Sequence, residues 1–144
     1  FENRKITNYL FKFSIVTAVY NVAPYLSEAI DSILSQDIGF LESVELILVD
    51  DGSTDASGAI CDEYQHKYPE NIVVIHKPNG GVASARNAGI AVARGRYVNF
   101  MDSDDKLTPD TLSSVYDFFI EHDKEVDLVS VPIFYFEQKT NHIA

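Results

Sequence analysis

RYVNFMDSDD, residues 96–105, is the stretch whose reading decides the fold. Tyr97 to Met101 reads as a buried β-strand that runs straight into Asp102, Ser103, Asp104 and Asp105. Three carboxylates in four positions repel one another, so a chain that collects them at a strand end usually has a cation or a hydrogen-bonding ligand to share there. Taken alone, such a cluster reads at least as well as a solvated acidic turn. Asp50 and Asp51 shift the balance, because they follow another apolar strand in the same way. Two such strand ends in one α/β domain can meet.

Working outward from this stretch, the chain alternates strands and helices. FSIVTAVYN, from Phe13, is a near-continuous apolar run that suits a strand covered on both faces. Pro24 stands where a helix can begin, and Leu26, Ile30, Ile33 and Leu34 follow at i, i+4, i+7 and i+8, predicting a helix to near Gln36. VELILVDDGSTD holds a second strand, Val44 to Val49, and a turn, Asp50 to Asp55. Asp55 is the expected N-cap of a helix from Ala56 to about Tyr68, with Ile60, Tyr64 and Cys61 on its core side. Asn71 to His76 is a third strand, KPNGG a turn, and VASARNAGIAVARG a small-residue helix ending at Gly95. Thr108 and Pro109 form an N-cap and N1 pair for a helix carrying Leu112, Val115, Tyr116 and Phe119. DLVSVPIFYF, from Asp127, is a fifth strand. The division expected is an N-terminal arm, 1–12, one domain, 13–136, and a polar tail, 137–144.

The composition narrows the partners. A 144-residue chain can bury about 70% of its unfolded surface in one core. With 11 basic against 22 acidic residues the net charge is -11, which excludes sequence-independent attraction to nucleic acid. Cys61 is the sole cysteine, so neither an internal disulfide nor a cysteine-based zinc site is available, and a reducing compartment fits. No apolar run approaches the roughly 20 residues of a membrane-spanning helix, and no stretch has a signal-peptide layout.

Alternating elements mean βαβ units and a mostly parallel sheet. Right-handed crossovers then bring the loops after every strand to one edge, where open α/β folds bind ligands. Tyr20 and Asn21, Asp50 to Asp55, Asn79 to Gly81 and Asp102 to Asp105 all lie in such loops. A flat ring such as Tyr20 beside carboxylates suits a nucleobase, although a lone tyrosine is more often core or ordinary surface. Asp51 is compatible with two roles, turn former and nucleoside ligand. Arg86 sits just after Gly80 and Gly81 in the first turns of the small-residue helix, where a helix N-terminus and a guanidinium both favour an anion, which suits a ribose or phosphate contact. Its plain alternative is a weak surface ion pair. Asp102 and Asp104 form an Asp-x-Asp that can hold Mg2+ or Mn2+ together with a diphosphate, since hard cations prefer oxygen ligands. The histidines, at 66, 76, 122 and 142, have no metal spacing, and only His76 falls near the site.

Rival readings can be tested by position. A calcium-binding EF-hand loop starting at Asp102 requires Gly and Glu where Leu107 and Ser113 stand, and no P-loop motif is present. A haloacid-dehalogenase-like phosphatase also places Asp-x-Asp after a strand, but Lys106 stands where that pattern expects Thr or Val. A receiver-like signalling domain shares ILVDDG, yet its acidic pair follows the first strand rather than the second.

Four motifs in order, FSIVTAVYN, VELILVDDGSTD, NGGVASARNAGIAVARGRYVNFMDSDD and LTPDTL, resemble the N-terminal half of a glycosyltransferase family 2 enzyme of GT-A fold, over residues 13 to 131. The resemblance implies a Rossmann-like α/β domain with helices on both faces of the sheet. It implies transfer of a sugar, with inversion, from a nucleotide diphosphate sugar, often a UDP-sugar, to an acceptor hydroxyl of a glycan or glycolipid. Carried over by position, Ala18 and Tyr20 stand where the base is held, with Ala18 in place of an expected Pro or Thr. Asp51 matches a nucleoside-binding acid, Arg86 a nucleotide contact, Asp102 a ribose-side or metal-shell acid, and Asp104 the direct metal ligand. Asn21 and Ser103 join the substrate-binding set by lying in the same loops. The general base is expected beyond Ala144, so the chain alone is expected to be inactive. The resemblance places the protein in the cytoplasm, working peripherally at the inner face of the membrane.

Overall fold

The first strand in the chain is one of the two inner strands of the sheet, and the other strands lie on either side of it. The computed structural model describes residues 9–122. Its elements are β1 (Phe11–Val19), α1 (Ala23–Leu34), α2 (Phe40–Ser43), β2 (Val44–Asp50), α3 (Ser57–Lys67), β3 (Ile72–His76), α4 (Val82–Val92), β4 (Gly95–Phe100) and α5 (Thr111–Glu121). The strands form a four-stranded sheet in the order β3-β2-β1-β4. Every pairing is parallel, with Ala18 opposite Val49 and Val16 opposite Phe100.

Alternation along β1 and β2 decides which helix packs where, because successive side chains of a strand point to opposite faces. Phe13, Ile15 and Val19 of β1 join Val44, Leu46 and Leu48 of β2 in the larger core. Onto that face pack Leu26, Ala29, Ile30 and Ile33 of α1, Cys61 of α3, and Leu112, Val115 and Phe119 of α5. Val16, Ile47 and Val49 face the other way and meet Ala85 of α4. The inner strands are therefore covered on both faces, as expected, whereas β4, read as a buried strand, is an edge strand whose Val98 and Phe100 stay exposed because no further described strand or helix covers that face. Cys61 is fully buried, and burial pushes its thiol up to about 12, consistent with packing rather than chemistry.

Several boundaries differ from the expectation, each for a local reason. β1 begins at Phe11, two residues inside the segment read as an arm. The small-residue helix ends at Val92, not at Gly95. Fully buried Glu45 ends it: Oε2 accepts the Arg94 backbone N–H at 2.7 Å and the Ser14 hydroxyl at 2.6 Å, while Oε1 accepts Arg94 Nε at 2.7 Å. Gly95 instead opens β4 against Phe11, and a side chain there would lie 2.6 Å from the backbone of Phe13 and Ser14.

Thr108 and Pro109 do not cap α5, which starts at Thr111 with Asp110 in the N-cap position. Gln36 takes over the task. Its Oε1 accepts the Leu112 N–H at 2.9 Å, and its Nε2 donates to the carbonyls of Ser32 and Thr108. Asp55 stands one residue outside the α3 N-cap, yet its Oδ1 still accepts the Ser57 N–H at 2.9 Å. The fifth strand from Asp127, the first eight residues of the arm and the polar tail lie outside the described residues.

Gly89 of α4 faces Val16 so closely that an added Cβ would sit 2.4 Å from Val16 Cγ1. In Gly89→Ala the overpacking cost of about 1–3 kcal/mol outweighs the roughly 1 kcal/mol gained in helix propensity. Chemical denaturation should show a net loss of stability; a gain would mean that α4 is not pressed onto β1 as described.

Candidate functional site

Parallel strands place the C-terminal ends of β1, β2 and β4 side by side, and a cleft of about 360 Å³ opens there. Ala18, Tyr20 and Val22 form one wall, Asp51, Asn79, Gly81 and Val82 a second side, and Asp102, Ser103 and Asp104 a third. Asp51 and Asp104 thus face the same space, although they come from strand ends 53 residues apart in sequence. Of the residues expected in the site, Ala18, Tyr20, Asp51, Asp102, Ser103 and Asp104 line the cleft, whereas Asn21 and Arg86 are not part of its lining.

Asp51 is 3% exposed and already well supplied with donors. Its Oδ1 accepts Lys77 Nζ and the Gly80 N–H, each at 2.9 Å; its Oδ2 accepts the Gly81 N–H at 2.9 Å and, more weakly, Asn79 Nδ2 at 3.4 Å. The hydrogen bond from Lys77 is the largest of the influences that hold this carboxyl below its ordinary value. The loop geometry depends on glycine: Gly52 (φ 80) and Gly81 (φ 94) lie in the left-handed region, and a side chain on Gly52 would meet the Asn79 nitrogen at 2.8 Å. Asp51 thus takes the two N–H groups just ahead of α4, those of Gly80 and Gly81, leaving the weakly used side of Oδ2 as its remaining acceptor.

Lys77 was not anticipated. Its only signal was a single cation ahead of PNGG, which reads equally well as an ordinary turn residue.

Tyr20 is half exposed at the mouth of the cleft, and Asn21 beside it adopts a positive φ of 50°. The Asn21 side chain turns away from the cleft. Its Oδ1 accepts the N–H groups of Thr54 (2.8 Å) and Asp55 (3.3 Å), and its own N–H donates to Ser53 Oγ. With Val22 N–H on Ser57 Oγ and Ala23 N–H on Asp55 Oδ2, the loop after β1 is stapled to the loop after β2.

On the acidic side, ligand oxygens of Asp102, Asp104 and Asp105 all lie within 4.8 Å of one another. Asp102 and Asp104 are exposed, while Asp105 is 4% exposed and its carboxyl has no hydrogen-bond partner among the described residues. Burial first, then the charges of Asp102 and Asp104, pushes Asp105 up to about 6. Three oxygen donors this close fit a hard divalent cation such as Mg2+ or Mn2+. Asp105 was quoted in the acidic stretch but not expected as a ligand; its burial distinguishes it, and a run of acids does not reveal which member turns inward. Arg86 pairs with Asp102 at 3.3 Å on the surface and lies 5.4 Å from the Phe100 ring. His76 does not enter the cleft: it turns toward α3, between Asp50 and Asp62.

A parallel α/β sheet with an acid-lined cleft across its strand ends defines a GT-A-type, Rossmann-like domain. The chain belongs to the family described as glycosyl transferase family 2, whose model matches residues 14–144. It is 51% identical over 138 residues to the minor teichoic acid biosynthesis protein GgaB of Bacillus subtilis, covering 96% of this chain and 15% of that protein. Staphylococcus aureus TarS 1-349, solved in complex with UDP, superposes with a TM-score of 0.71 at 32% identity, over 89% of this chain and 40% of that one. The mannosyltransferase PcManGT of Pyrobaculum calidifontis, solved with GDP-Man and Mn2+, shares the fold with a TM-score of 0.68 at 22% identity, over 82% of this chain and 37% of that one. The chain therefore spans less than half the length of these relatives.

An acid whose folded value lies above the ordinary 3.8 is penalised when ionised. The penalty is complete above about 6 and fades as pH falls toward 3.8. In metal-free buffer, Asp105→Asn should raise the thermal midpoint at pH 7, with the advantage shrinking at pH 5. An equal loss at both pH values would show that Asp105 is not under charge strain.

Proposed function

We propose that the cleft is the donor site of an inverting glycosyltransferase that binds a nucleotide diphosphate sugar, a UDP-sugar in the first instance, together with Mg2+ or Mn2+. The observation that carries this reading is the meeting of Tyr20, Asp51 and the Asp102–Asp104 turn in one cleft, in a chain 32% identical to a protein solved with UDP. Tyr20 supplies a face on which a base stacks, and the weakly used side of Asp51 Oδ2 accepts a base N–H. Ala18, with no side-chain donor, contributes backbone alone. Asn21 acts indirectly, by holding Tyr20 in place, and Ser103 lies where a ribose or phosphate oxygen would pass.

Asp51 takes the Gly80 and Gly81 N–H groups just ahead of α4, so we assign the diphosphate charge to the acidic side of the cleft and its neighbours. Asp104, with Asp102 and Asp105, would hold the cation, whose contribution is charge stabilisation on the departing diphosphate. Arg86, 3.3 Å from Asp102, is a cation placed beside the same acids. The acceptor hydroxyl needs a general base to take its proton, and we place that base outside the described residues.

No helix among the described residues is long and apolar enough to cross a membrane. We place the protein at the cytoplasmic membrane face, acting on a cell-surface glycan or its lipid-linked precursor; the teichoic acid biosynthesis name of the GgaB relative supports such an acceptor.

Calorimetric titration with UDP in the presence of Mn2+ tests the donor site. Asp104→Ala should abolish the metal-dependent part of binding, and Tyr20→Ala should weaken binding by about 1–3 kcal/mol if the ring stacks on the base. Metal-independent UDP binding that Asp104→Ala leaves untouched would remove the cation from the site.

A further inference from the structure

We infer that His76, held as an imidazolium between two carboxylates, is a positioning residue for the wall of the cleft that carries Tyr20, and that nucleotide affinity falls when it deprotonates. This rests on the donor-site reading above. The geometry requires the charged ring. His76 Nδ1 lies 2.8 Å from Asp50 Oδ2, and Nε2 lies 2.8 Å from Asp62 Oδ1. Ionised carboxylates only accept, and a neutral imidazole has one N–H, so a neutral ring would point a lone pair at one of them. Only the imidazolium donates to both.

From His76 a continuous chain of hydrogen bonds leads to the cleft. Asp50, 6% exposed, uses its second oxygen to accept the Ser53 N–H at 3.0 Å. Ser53 Oγ in turn accepts the N–H of Asn21 at 3.1 Å, the residue next to Tyr20. Asn21 Oδ1 then returns to the N–H groups of Thr54 and Asp55, closing the loop pair. Without its cation, Asp50 is a nearly buried carboxylate beside Gly58, where an added Cβ would meet Asp50 Oδ2 at 2.8 Å. Its grip on the Ser53 turn is therefore what deprotonation of His76 disturbs.

The titratable and charged groups around His76 are Asp50 from β2, Asp62 and the buried Cys61 from α3, and the neighbouring Lys77, whose ammonium is held by Asp51. The hydrogen bonds to Asp62 and Asp50 outweigh burial and hold His76 above its ordinary 6.5. Such a group contributes fully below its unfolded value, and the contribution is lost as pH rises through the folded value.

The test uses the full chain and two readouts. Nitrogen-15 NMR of the His76 ring should show both nitrogens protonated at pH 6. UDP affinity in the presence of Mg2+ should fall about three- to tenfold as pH rises through the His76 titration. His76→Ala should bind with that weaker affinity at every pH. Asp62→Asn, on an exposed position of α3 away from the cleft, should move the midpoint to lower pH, a shift that a merely structural histidine would not produce. UDP binding whose pH profile is the same in the wild type, His76→Ala and Asp62→Asn overturns this inference and leaves the donor site standing. A wild type that binds no UDP at pH 6 overturns both, and a single ring N–H at pH 6 overturns the imidazolium whatever the binding shows.

Discussion

A carboxylate withdrawn from water must have its charge answered on the spot, and Asp51 is where this chain meets that demand. Lys77 and the N–H groups of Gly80 and Gly81 answer it together. In doing so they tie the end of β2 to the loop that runs from β3 into α4, adding side-chain contacts where the Lys77 N–H also donates to the Asp50 carbonyl at 3.0 Å. The glycines follow from this, since the loop must bend through left-handed backbone to aim successive N–H groups at one side chain. The cleft is the space left beside that knot.

A second set of contacts fixes the opposite wall. The loop after β1 contributes three consecutive backbone N–H groups, from Asn21, Val22 and Ala23, to the side chains of Ser53, Ser57 and Asp55. A loop read as a nucleotide contact thus spends most of its polar groups on its neighbour. Tyr20 is the member left facing out, so binding and scaffolding are divided residue by residue within one short turn.

Much of this was legible in the sequence because it depends on local pattern. Short continuous apolar runs and helical stripes located all the described strands and the longer helices, and strand-then-loop order put Tyr20, Asp51 and Asp104 on one rim. What was not legible depends on pairs distant along the chain. Gln36 caps α5 across 76 positions, and Glu45 ends α4 across 49. In VELILVD, Glu45 looks like an ordinary polar position of a strand, and nothing local marks it as fully buried. Asn21 was misread for a related reason: its loop was rightly placed, but side-chain direction follows from the positive φ, which the sequence does not display.

The two acids that bracket β2 have a joint effect on α4. Glu45, at the foot of the strand, holds the residues just after the helix, and Asp51, at its head, holds those just before it. Both ends of one helix are thereby tethered to a single strand, like a strut bolted to a beam at each end. Such a strut has little freedom to slide or swing, so the guanidinium it carries at position 86 is presented at a constant height above the acidic turn. Sequence drift along its outward side can proceed without altering that height, whereas loosening either bolt would tilt the strut as a whole.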